Sequence, residues 1–242
     1  MAELDFSRLA VWLSTPHQAM LEIAHDVGYR RVVLDVEHGL FDLDATDKLV
    51  ALARALGMAI FVKVLGPETI PIQQALDMGC DGVIIPHIED VAQAARVTAA
   101  AKYPPLGGRS FSGTRPARYG GAPQSYYDGE NRRTRCFPMI ESAAALADVE
   151  AILALPTVDG VFMGPSDLSL SRGRGAYRNG PEDQADLRRV AAAATRAGKP
   201  WIMPAWSDAE RRLSEQLGVD FMVVIDEFGA LRWALTEAAK PV

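Results

Sequence analysis

Gly82-Val83-Ile84-Ile85-Pro86-His87 is the stretch that indicates the fold of this 242-residue chain most directly. Its run of apolar residues is short and ends abruptly in a proline and a histidine. The runs Val32-Val33-Leu34 and Met222-Val223-Val224-Ile225 are of the same kind. Short segments that are apolar on both faces are typical of parallel strands covered by helices. The sequence therefore predicts a parallel sheet buried under helices.

Eight such segments alternate with alanine-rich helical stretches along the whole chain. The predicted strands are Leu9–Leu13, Arg31–Val36, Ala59–Val64, Gly82–Pro86, Arg135–Glu141, Gly160–Met163, Pro200–Ala205 and Phe221–Ile225. Eight alternations in 242 residues predict an α/β fold, a single (β/α)8 TIM barrel over residues 1–242. A doubly wound open sheet is the second interpretation, but no G-x-G-x-x-G follows the first strand.

Capping signals mark the ends of the predicted helices. Ser14-Thr15-Pro16 predicts a cap followed by a proline in the first turn, and Gly28 closes that helix. Ser207-Asp208-Ala209-Glu210 has the spacing of a capping box. Glycines at positions 57, 79, 198 and 218 each precede a strand, as in many helix-to-strand connections.

Composition narrows the class of protein and of partner. The chain is 49% hydrophobic and 23% charged, with a net charge of −6 and a pI near 5.3, which argues against nucleic acid or an anionic membrane as the main partner. The first residues do not resemble a signal peptide, and no apolar run approaches the roughly 18–20 residues that span a bilayer. Cys80 and Cys136 both lie in apolar segments and are interpreted as buried hydrophobic residues. We expect a cytoplasmic protein.

Residues Tyr103 to Arg133 interrupt the alternation. The segment is rich in Gly, Pro, Arg and Tyr and has no sustained period. A loop of this length in a compact fold is usually functional or disordered. We expect it between the fourth and fifth strands on the active-site side. There Arg115, Arg118 and Tyr119 would contact a substrate or a neighbouring subunit, or else form a solvated basic loop.

Two acidic residues follow apolar runs directly. Glu141 ends Cys136-Phe137-Pro138-Met139-Ile140-Glu141, and Asp167 closely follows Val161-Phe162-Met163-Gly164. A carboxylate at the end of a buried strand is costly to desolvate unless something compensates its charge. Successive strands of a parallel barrel end on one rim, so the two side chains would converge. Converging oxygens suit a hard divalent cation such as Mg²⁺.

The second informative patch is Asp35-Val36-Glu37-His38-Gly39. A histidine oriented by a carboxylate can act as a general base near neutral pH. His38 with Asp35 is the predicted pair, and a surface turn in which Asp35 caps the next helix is the alternative. Lys63 ends the third predicted strand on the same rim. His25 is interpreted as a helix residue, and His87 as loop packing or a weaker site candidate.

Gly164-Pro165-Ser166-Asp167-Leu168-Ser169 predicts a tight turn ahead of a carboxylate. Backbone amides exposed in such a turn can hold a carboxylate or a phosphate. The alternative is an ordinary Gly-Pro turn in which Asp167 caps a helix.

The chain resembles the HpcH/HpaI aldolases, metal-dependent class II enzymes of the phosphoenolpyruvate/pyruvate barrel superfamily. The resemblance covers nearly the whole length, through short segments in the family's order. These segments are Val11-Trp12-Leu13, Leu34-Asp35-Val36-Glu37-His38, Ala75-Leu76-Asp77-Met78-Gly79-Cys80, Tyr103-Pro104-Pro105-Leu106-Gly107-Gly108-Arg109, Met139-Ile140-Glu141-Ser142 and Gly164-Pro165-Ser166-Asp167-Leu168-Ser169.

The resemblance implies cleavage or formation of a 4-hydroxy-2-oxo acid, from pyruvate or a similar 2-oxo acid and an aldehyde. It implies that Glu141 and Asp167 bind the metal, Mg²⁺ or Mn²⁺, with Co²⁺, Ni²⁺ or Zn²⁺ as alternatives. His38, steered by Asp35, would be the general base. Amides around Gly164, Ser166 and Asp167 would hold the substrate carboxylate. It also implies a homo-oligomer, a hexamer built as a trimer of dimers, with an exchanged C-terminal helix at 227–239.

Three departures from the family pattern leave the substrate open. Lys63 stands where the family usually has arginine, Met139 stands where glutamine is frequent, and the glycine-rich stretch is altered at Arg109-Ser110-Phe111-Ser112-Gly113. Lysine keeps the positive charge but lacks the planar bidentate fork of arginine. Lys63 is predicted as a catalytic and substrate-binding residue, or it points elsewhere.

Three alternative functions stay open from the sequence. A Schiff base at Lys63 would change the mechanism of the aldolase. A lyase acting on CoA thioesters would change the substrate. A barrel that binds a 2-oxo acid without turnover would remove the catalysis.

Overall fold

The structure, a computed structural model, describes residues 5–240 as a closed barrel of eight parallel strands. The strands are β1 (Leu9–Leu13), β2 (Arg31–Asp35), β3 (Ala59–Lys63), β4 (Gly82–Ile85), β5 (Arg135–Ile140), β6 (Val161–Met163), β7 (Trp201–Pro204) and β8 (Met222–Asp226). They pair in chain order, and β8 closes the barrel against β1. The predicted α/β barrel is confirmed, and every predicted strand agrees with the observed one to within one residue at each end.

Helices cover the outside of this barrel. They are α1 (Gln18–Val27), α2 (Leu43–Ala55), α3 (Thr69–Met78), α4 (Val91–Thr98), α5 (Gln124–Arg133), α6 (Ala143–Ala147), α7 (Val149–Ala154), α8 (Pro165–Ser171), α9 (Pro181–Ala197), α10 (Asp208–Gln216) and α11 (Glu227–Ala238). None of the helices within residues 5–240 has the length and apolar character needed to cross a membrane.

The alternation of side chains along each strand creates two cores. One set points out against the helices. The other fills the barrel interior and includes Phe61, Phe137, Phe162 and Phe221. Because successive side chains of a strand point to opposite faces, a residue two positions beyond an interior residue also points inward. The interior core therefore forms the floor beneath the side chains at the carboxyl ends of the strands, the end that we call the mouth.

The helix ends follow the predicted signals with one correction. Gly79 ends α3 in the left-handed region at φ 95°, where a side chain would be strained. Ser207 and Glu210 form the predicted capping box of α10. The cap predicted at Ser14-Thr15-Pro16 is wrong, because the side chain of His17 accepts the hydrogen bond from the Met20 amide and α1 starts at Gln18.

The segment from Tyr103 to Arg133 lies at the other end of the barrel from the mouth. It follows α4, so it is a helix-to-strand connection, and it contains the short 3₁₀ turn Arg115–Ala117 and α5. Arg133 pairs with Asp81, which directly precedes β4. The prediction that this segment lies on the active-site side is therefore wrong.

Arg115 illustrates what this segment does instead. Its guanidinium binds both carboxylate oxygens of Asp47 at 2.7 and 2.8 Å and the Met78 carbonyl at 2.6 Å. These contacts fasten the segment to the outer surfaces of α2 and α3. Tyr119 is largely exposed on the same outer side. The predicted contact of these residues with a substrate at the mouth of their own barrel is excluded.

Candidate active site

Several polar side chains point inward at the mouth of the barrel, directly above the interior core. The β2–β3 register places Asp35 directly opposite Lys63, and each lies two residues beyond an interior residue, Val33 or Phe61. Glu141 has the same relation to the interior residue Met139 on β5. Strand alternation and register thus bring one lysine and two carboxylates to one level of the barrel.

Lys63 is the buried cation of this cluster. Its residue is only 5% exposed. Its Nζ lies 2.6 Å from Oε2 of Glu37 and 3.7 Å from Oδ1 of Asp35. Its Nζ also lies over the ring of Trp12, 5.8 Å from the ring centroid. The lysine is therefore bound to carboxylates of its own chain and does not stand free in the mouth.

Glu37 connects the buried lysine to two exposed histidines. Its Oε1 lies 2.6 Å from Nε2 of His87 and 3.6 Å from Nε2 of His38. The histidine side chains are 61% and 65% exposed respectively, while that of Glu37 is 6% exposed. A buried carboxylate thus orients an exposed imidazole, most closely that of His87.

Asp35 acts on the backbone of His38 and not on its ring. Its Oδ1 accepts a hydrogen bond from the His38 amide at 3.2 Å. Gly39 next to it has no room for a side chain, because a Cβ there would lie 2.2 Å from the Asp35 carbonyl oxygen. The structure therefore brings Asp35 and His38 together as predicted, but the ring orientation attributed to Asp35 is wrong, since Glu37 is the carboxylate beside that ring.

Glu141 is a buried carboxylate, and no lysine or arginine among residues 5–240 pairs with it. Its residue is 7% exposed, and its Oε1 accepts a hydrogen bond from the His87 amide at 2.6 Å. Burial is the largest influence on its pKa and raises it, and the charges of Asp167 and Glu37 act in the same direction. The His87 amide and the charge of Lys63 oppose this rise in pKa. A cation at this carboxylate would relieve the cost of its ionisation.

Asp167 reaches the site on α8. The predicted tight turn is the start of this helix, with Gly164 before it, Pro165 in its first position and Asp167 in its first turn. The first intrahelical hydrogen bond runs from the Leu168 amide to the Gly164 carbonyl, so the amides of Ser166 and Asp167 precede the helical ladder. Both residues are exposed. Asp167 is close enough to raise the pKa of Glu141.

Gly164 provides the space beside Glu141. A Cβ on this glycine would lie 2.8 Å from Cβ of Glu141 and 3.1 Å from its Oε2. Any larger residue would displace the carboxylate. The backbone of Gly164 has φ −101°, so close approach and not conformational freedom explains the glycine.

The carboxylates of Glu141 and Asp167 fit a hard divalent cation that takes few ligands from the protein. Within residues 5–240, no group of three or more His, Cys, Asp or Glu side chains is arranged to hold a metal by itself. Mg²⁺ and its analogues are commonly held by one or two carboxylates, with waters and substrate oxygens completing the shell. Glu141 with the space beside Gly164, and Asp167 on the facing helix, match that pattern.

Two residues at the site have more contacts than the sequence predicts: Glu37, which is given no role there, and His87. His87 contacts both Glu37 and Glu141, which favours its interpretation as a site candidate over loop packing. Its position after β4, next to Pro86, was the available signal. Asp226, also at a strand end, caps α11 instead by accepting a hydrogen bond from the Gly229 amide at 2.8 Å.

The structure defines a (β/α)8 barrel with an acidic site at the carboxyl ends of its strands. The chain belongs to the HpcH/HpaI aldolase/citrate lyase family, whose model matches residues 8–225. The resemblance identified from short sequence segments is thereby confirmed. Aldolases of this family are generally dependent on a divalent metal.

Curated relatives and solved structures agree with this assignment. The chain is 31% identical to 5-keto-4-deoxy-D-glucarate aldolase of Klebsiella pneumoniae, over 96% of this chain and 91% of the relative. It is 34% identical to 4-hydroxy-2-oxovalerate aldolase of Novosphingobium aromaticivorans, over 69% of this chain and 63% of the relative. A HpcH/HpaI aldolase/citrate lyase family structure from Burkholderia cenocepacia superposes with a TM-score of 0.86 at 27% identity, covering 97% of this chain and 95% of that one.

The close contact at Gly164 predicts the effect of adding one methyl group. In Gly164→Ala the new Cβ displaces the Glu141 carboxylate, so the Kd for Mn²⁺ measured by titration calorimetry should rise at least about tenfold. Crowding of this kind costs about 1–3 kcal/mol, which leaves a folded protein. Gly129→Ala is the matched control, since its Cβ would meet nothing within 4 Å. Unchanged Mn²⁺ affinity in Gly164→Ala would show that Glu141 does not bind the ion.

Proposed function

We propose that this chain is a divalent-metal-dependent aldolase, a carbon–carbon lyase acting on 4-hydroxy-2-oxo acids. The substrates in the synthetic direction would be an aldehyde and pyruvate or a similar 2-oxo acid. The excess of carboxylates at the mouth is the observation that carries the proposal. Among residues 5–240, the ion pairs of this cluster contribute one lysine and two histidines to its carboxylates. The carboxylates are Asp35, Glu37, Glu141 and Asp167.

Glu141 and Asp167 would hold the cation. When bound, a divalent metal polarises the 2-oxo group and stabilises the negative charge that develops on its oxygen. Oxygen ligands favour Mg²⁺ or Mn²⁺, and Co²⁺, Ni²⁺ or Zn²⁺ are alternatives. The amides of Ser166 and Asp167, which precede the helical ladder of α8, would donate to the substrate carboxylate beside Gly164.

His38 would transfer the proton. In cleavage its imidazole accepts the proton of the C4 hydroxyl while the C3–C4 bond breaks. The aldehyde leaves, and the electron pair of that bond passes to the 2-oxo acid as its enolate, which is then protonated at C3. Synthesis is the reverse. The exposure of the ring at the mouth and the hydrogen bond from its backbone amide to Asp35 support this role.

Lys63 would contribute charge and positioning. Its ammonium group lies against Glu37 and near Asp35, so direct contact with the substrate is not part of the proposal. An amine that contacts two carboxylates of its own chain is not free to attack a substrate carbonyl. This argues against a Schiff base at Lys63, the alternative mechanism considered from the sequence.

The names of two relatives support the substrate class. One is named for 5-keto-4-deoxy-D-glucarate and the other for 4-hydroxy-2-oxovalerate, and both are oxo acids cleaved by an aldolase. For this chain we propose the class, a 4-hydroxy-2-oxo acid, without choosing between these two molecules. The proposed location is the cytoplasm, where the buried free thiols of Cys80 and Cys136 would stay reduced.

Exchange of the pyruvate methyl protons tests the proposed activity. In D₂O with Mg²⁺ or Mn²⁺, the protein should exchange these protons, as followed by proton NMR, and EDTA should stop the exchange. Glu141→Gln and Asp167→Asn should lower the rate at least about 100-fold, because each removes a charge that holds the cation. His38→Asn should slow cleavage of a 4-hydroxy-2-oxo acid by roughly 10²–10⁴-fold.

His25→Asn is the matched control for His38→Asn, because His25 lies on the outer helix α1. Binding of Mn²⁺ and oxalate without exchange or turnover would contradict the proposed activity and favour a barrel that only binds a 2-oxo acid. A borohydride-trapped adduct at Lys63 would replace the metal mechanism by Schiff-base chemistry.

A homo-oligomer is the second part of the proposal. Every residue of α11 from Leu231 onward is exposed, and large apolar side chains on this helix, one of them in its first turn, would be left in water by a lone chain. These side chains are Phe228, Leu231, Trp233 and Leu235. Helix α11 should therefore pack on a second copy of the chain, as in the hexamer implied by the family resemblance.

The mass in solution tests this assembly. Light scattering coupled to gel filtration should give an oligomer for the wild-type chain, and Trp233→Asp should reduce its mass by placing a charge in the interface. Leu170→Asp is the control, since Leu170 is similarly exposed but lies on α8. A monomeric wild-type chain, of 26.2 kDa, would reject the proposal.

A further inference from the structure

His87 is held in place more firmly than an exposed side chain requires. Its backbone amide donates to Glu141, and its carbonyl accepts a hydrogen bond from Nε2 of Gln93 at 3.1 Å. Its ring nitrogen Nε2 lies 2.6 Å from Glu37. Its φ of +57° is uncommon for a residue with a side chain, and such conformations persist where the surroundings fix them, frequently at functional sites.

Glu37 determines which ring nitrogen of His87 is available. Two lone pairs facing each other at 2.6 Å would repel, so in the neutral ring of His87 we assign the hydrogen to Nε2. In the neutral imidazole, Nδ1 then carries a lone pair and acts as an acceptor. Glu37 is fixed in turn by Lys63 at 2.6 Å. The buried ion pair thus presents a nitrogen lone pair at the mouth.

Nδ1 of His87 faces the carboxylate that would hold the cation. It lies 3.9 Å from Oε1 of Glu141, too far for a hydrogen bond between them. No hydrogen bond to Nδ1 forms within residues 5–240. The separation is suitable for one water that contacts both atoms. Direct ligation by His87 would need three converging ligand side chains, which the described part of the chain does not provide.

We propose that His87 is a positioning residue of the cation site: its Nδ1 accepts a hydrogen bond from a water in the shell of the cation held by Glu141 and Asp167. This inference rests on the proposed metal site. Glu37 is the group that sets the tautomer, and Lys63 fixes Glu37. Partners that orient groups around a bound ion typically change metal affinity by 10–100-fold when they are removed.

Mn²⁺ binding with imidazole rescue tests the proposal. The full chain is titrated with Mn²⁺, and free Mn²⁺ is measured from its room-temperature EPR signal. His87→Gly, which accepts the positive φ, should raise the Kd for Mn²⁺ by about 10–100-fold. Added imidazole should restore much of that affinity by occupying the space of the missing ring. His87→Asn, which also tolerates this backbone region, guards against a folding defect.

Three comparisons make the outcome decisive. Imidazole should leave the wild-type and His25→Ala proteins unchanged. Glu37→Gln should weaken Mn²⁺ binding, and combining it with His87→Gly should weaken binding little further, because both changes act on the same contact between the carboxylate of residue 37 and the ring of residue 87. A ¹⁵N-imidazole sample should show no nitrogen bonded directly to Mn²⁺ by pulsed EPR, and a directly bonded nitrogen would overturn the water-mediated arrangement.

Failure of this inference is distinguishable from failure of the metal site. If Glu141→Gln abolishes Mn²⁺ binding while His87→Gly and His87→Asn keep the wild-type affinity, the role of His87 is overturned and the metal site stands. A loss of affinity in both His87 variants that imidazole does not restore also overturns it. If Glu141→Gln binds Mn²⁺ as the wild type does, the metal site itself is wrong, and the proposal for His87 falls with it.

Discussion

The ion pair between Lys63 and Glu37 is the interaction on which the site depends. It buries one ammonium group among carboxylates at the level where β2 and β3 end. One lysine cannot neutralise the carboxylates around it. Buried carboxylates without compensation are costly, and the raised pKa of Glu141 reflects that cost. A divalent cation would offset this excess of negative charge, and the same cation would polarise the 2-oxo group of the substrate.

The barrel makes this arrangement rigid. The phenylalanine-rich interior core lies directly beneath Asp35, Lys63 and Glu141, so each inward side chain stands on a packed floor. Gly164 lets α8 approach Glu141 closely. Glu37 contacts the buried Lys63 with one carboxylate oxygen and the exposed ring of His87 with the other. The buried pair of Lys63 and Glu37 is therefore connected through His87 to Glu141, the carboxylate that would hold the cation.

Much of this arrangement could be predicted from local patterns. Glu141 was predictable because a buried strand ends at it, and Asp167 because it closely follows the next strand. The position of residues 103–133 was predicted wrongly. Helix α4 precedes this segment and already returns the chain to the amino ends of the strands. Once Val91–Thr98 is recognised as a helix, the segment must lie opposite the mouth.

The contacts among the side chains of the site could not be predicted from the sequence. Glu37 and His87 are separated by 50 positions, and no periodicity connects them. They come within 2.6 Å because β2 and β4 both pair with β3 and end at the same mouth. Asp35 and His38 are close in sequence, which predicts a dyad. In the structure, however, the ring of His38 lies near the carboxylate of Glu37, and the backbone amide of His38 donates a hydrogen bond to Asp35. Likewise, the sequence shows that lysine stands at position 63 where arginine is usual in the family, but it does not show that this side chain points toward Glu37.

The most direct test of the central claim, that the excess of carboxylates at the mouth holds a catalytic cation, is a crystal soaked with Mn²⁺ and pyruvate. Anomalous scattering should place one Mn²⁺ ion bonded to both Glu141 and Asp167, with pyruvate beside Gly164 and Lys63 still paired with Glu37. A mouth without Mn²⁺, or Lys63 released from Glu37 and bonded to pyruvate, would contradict it.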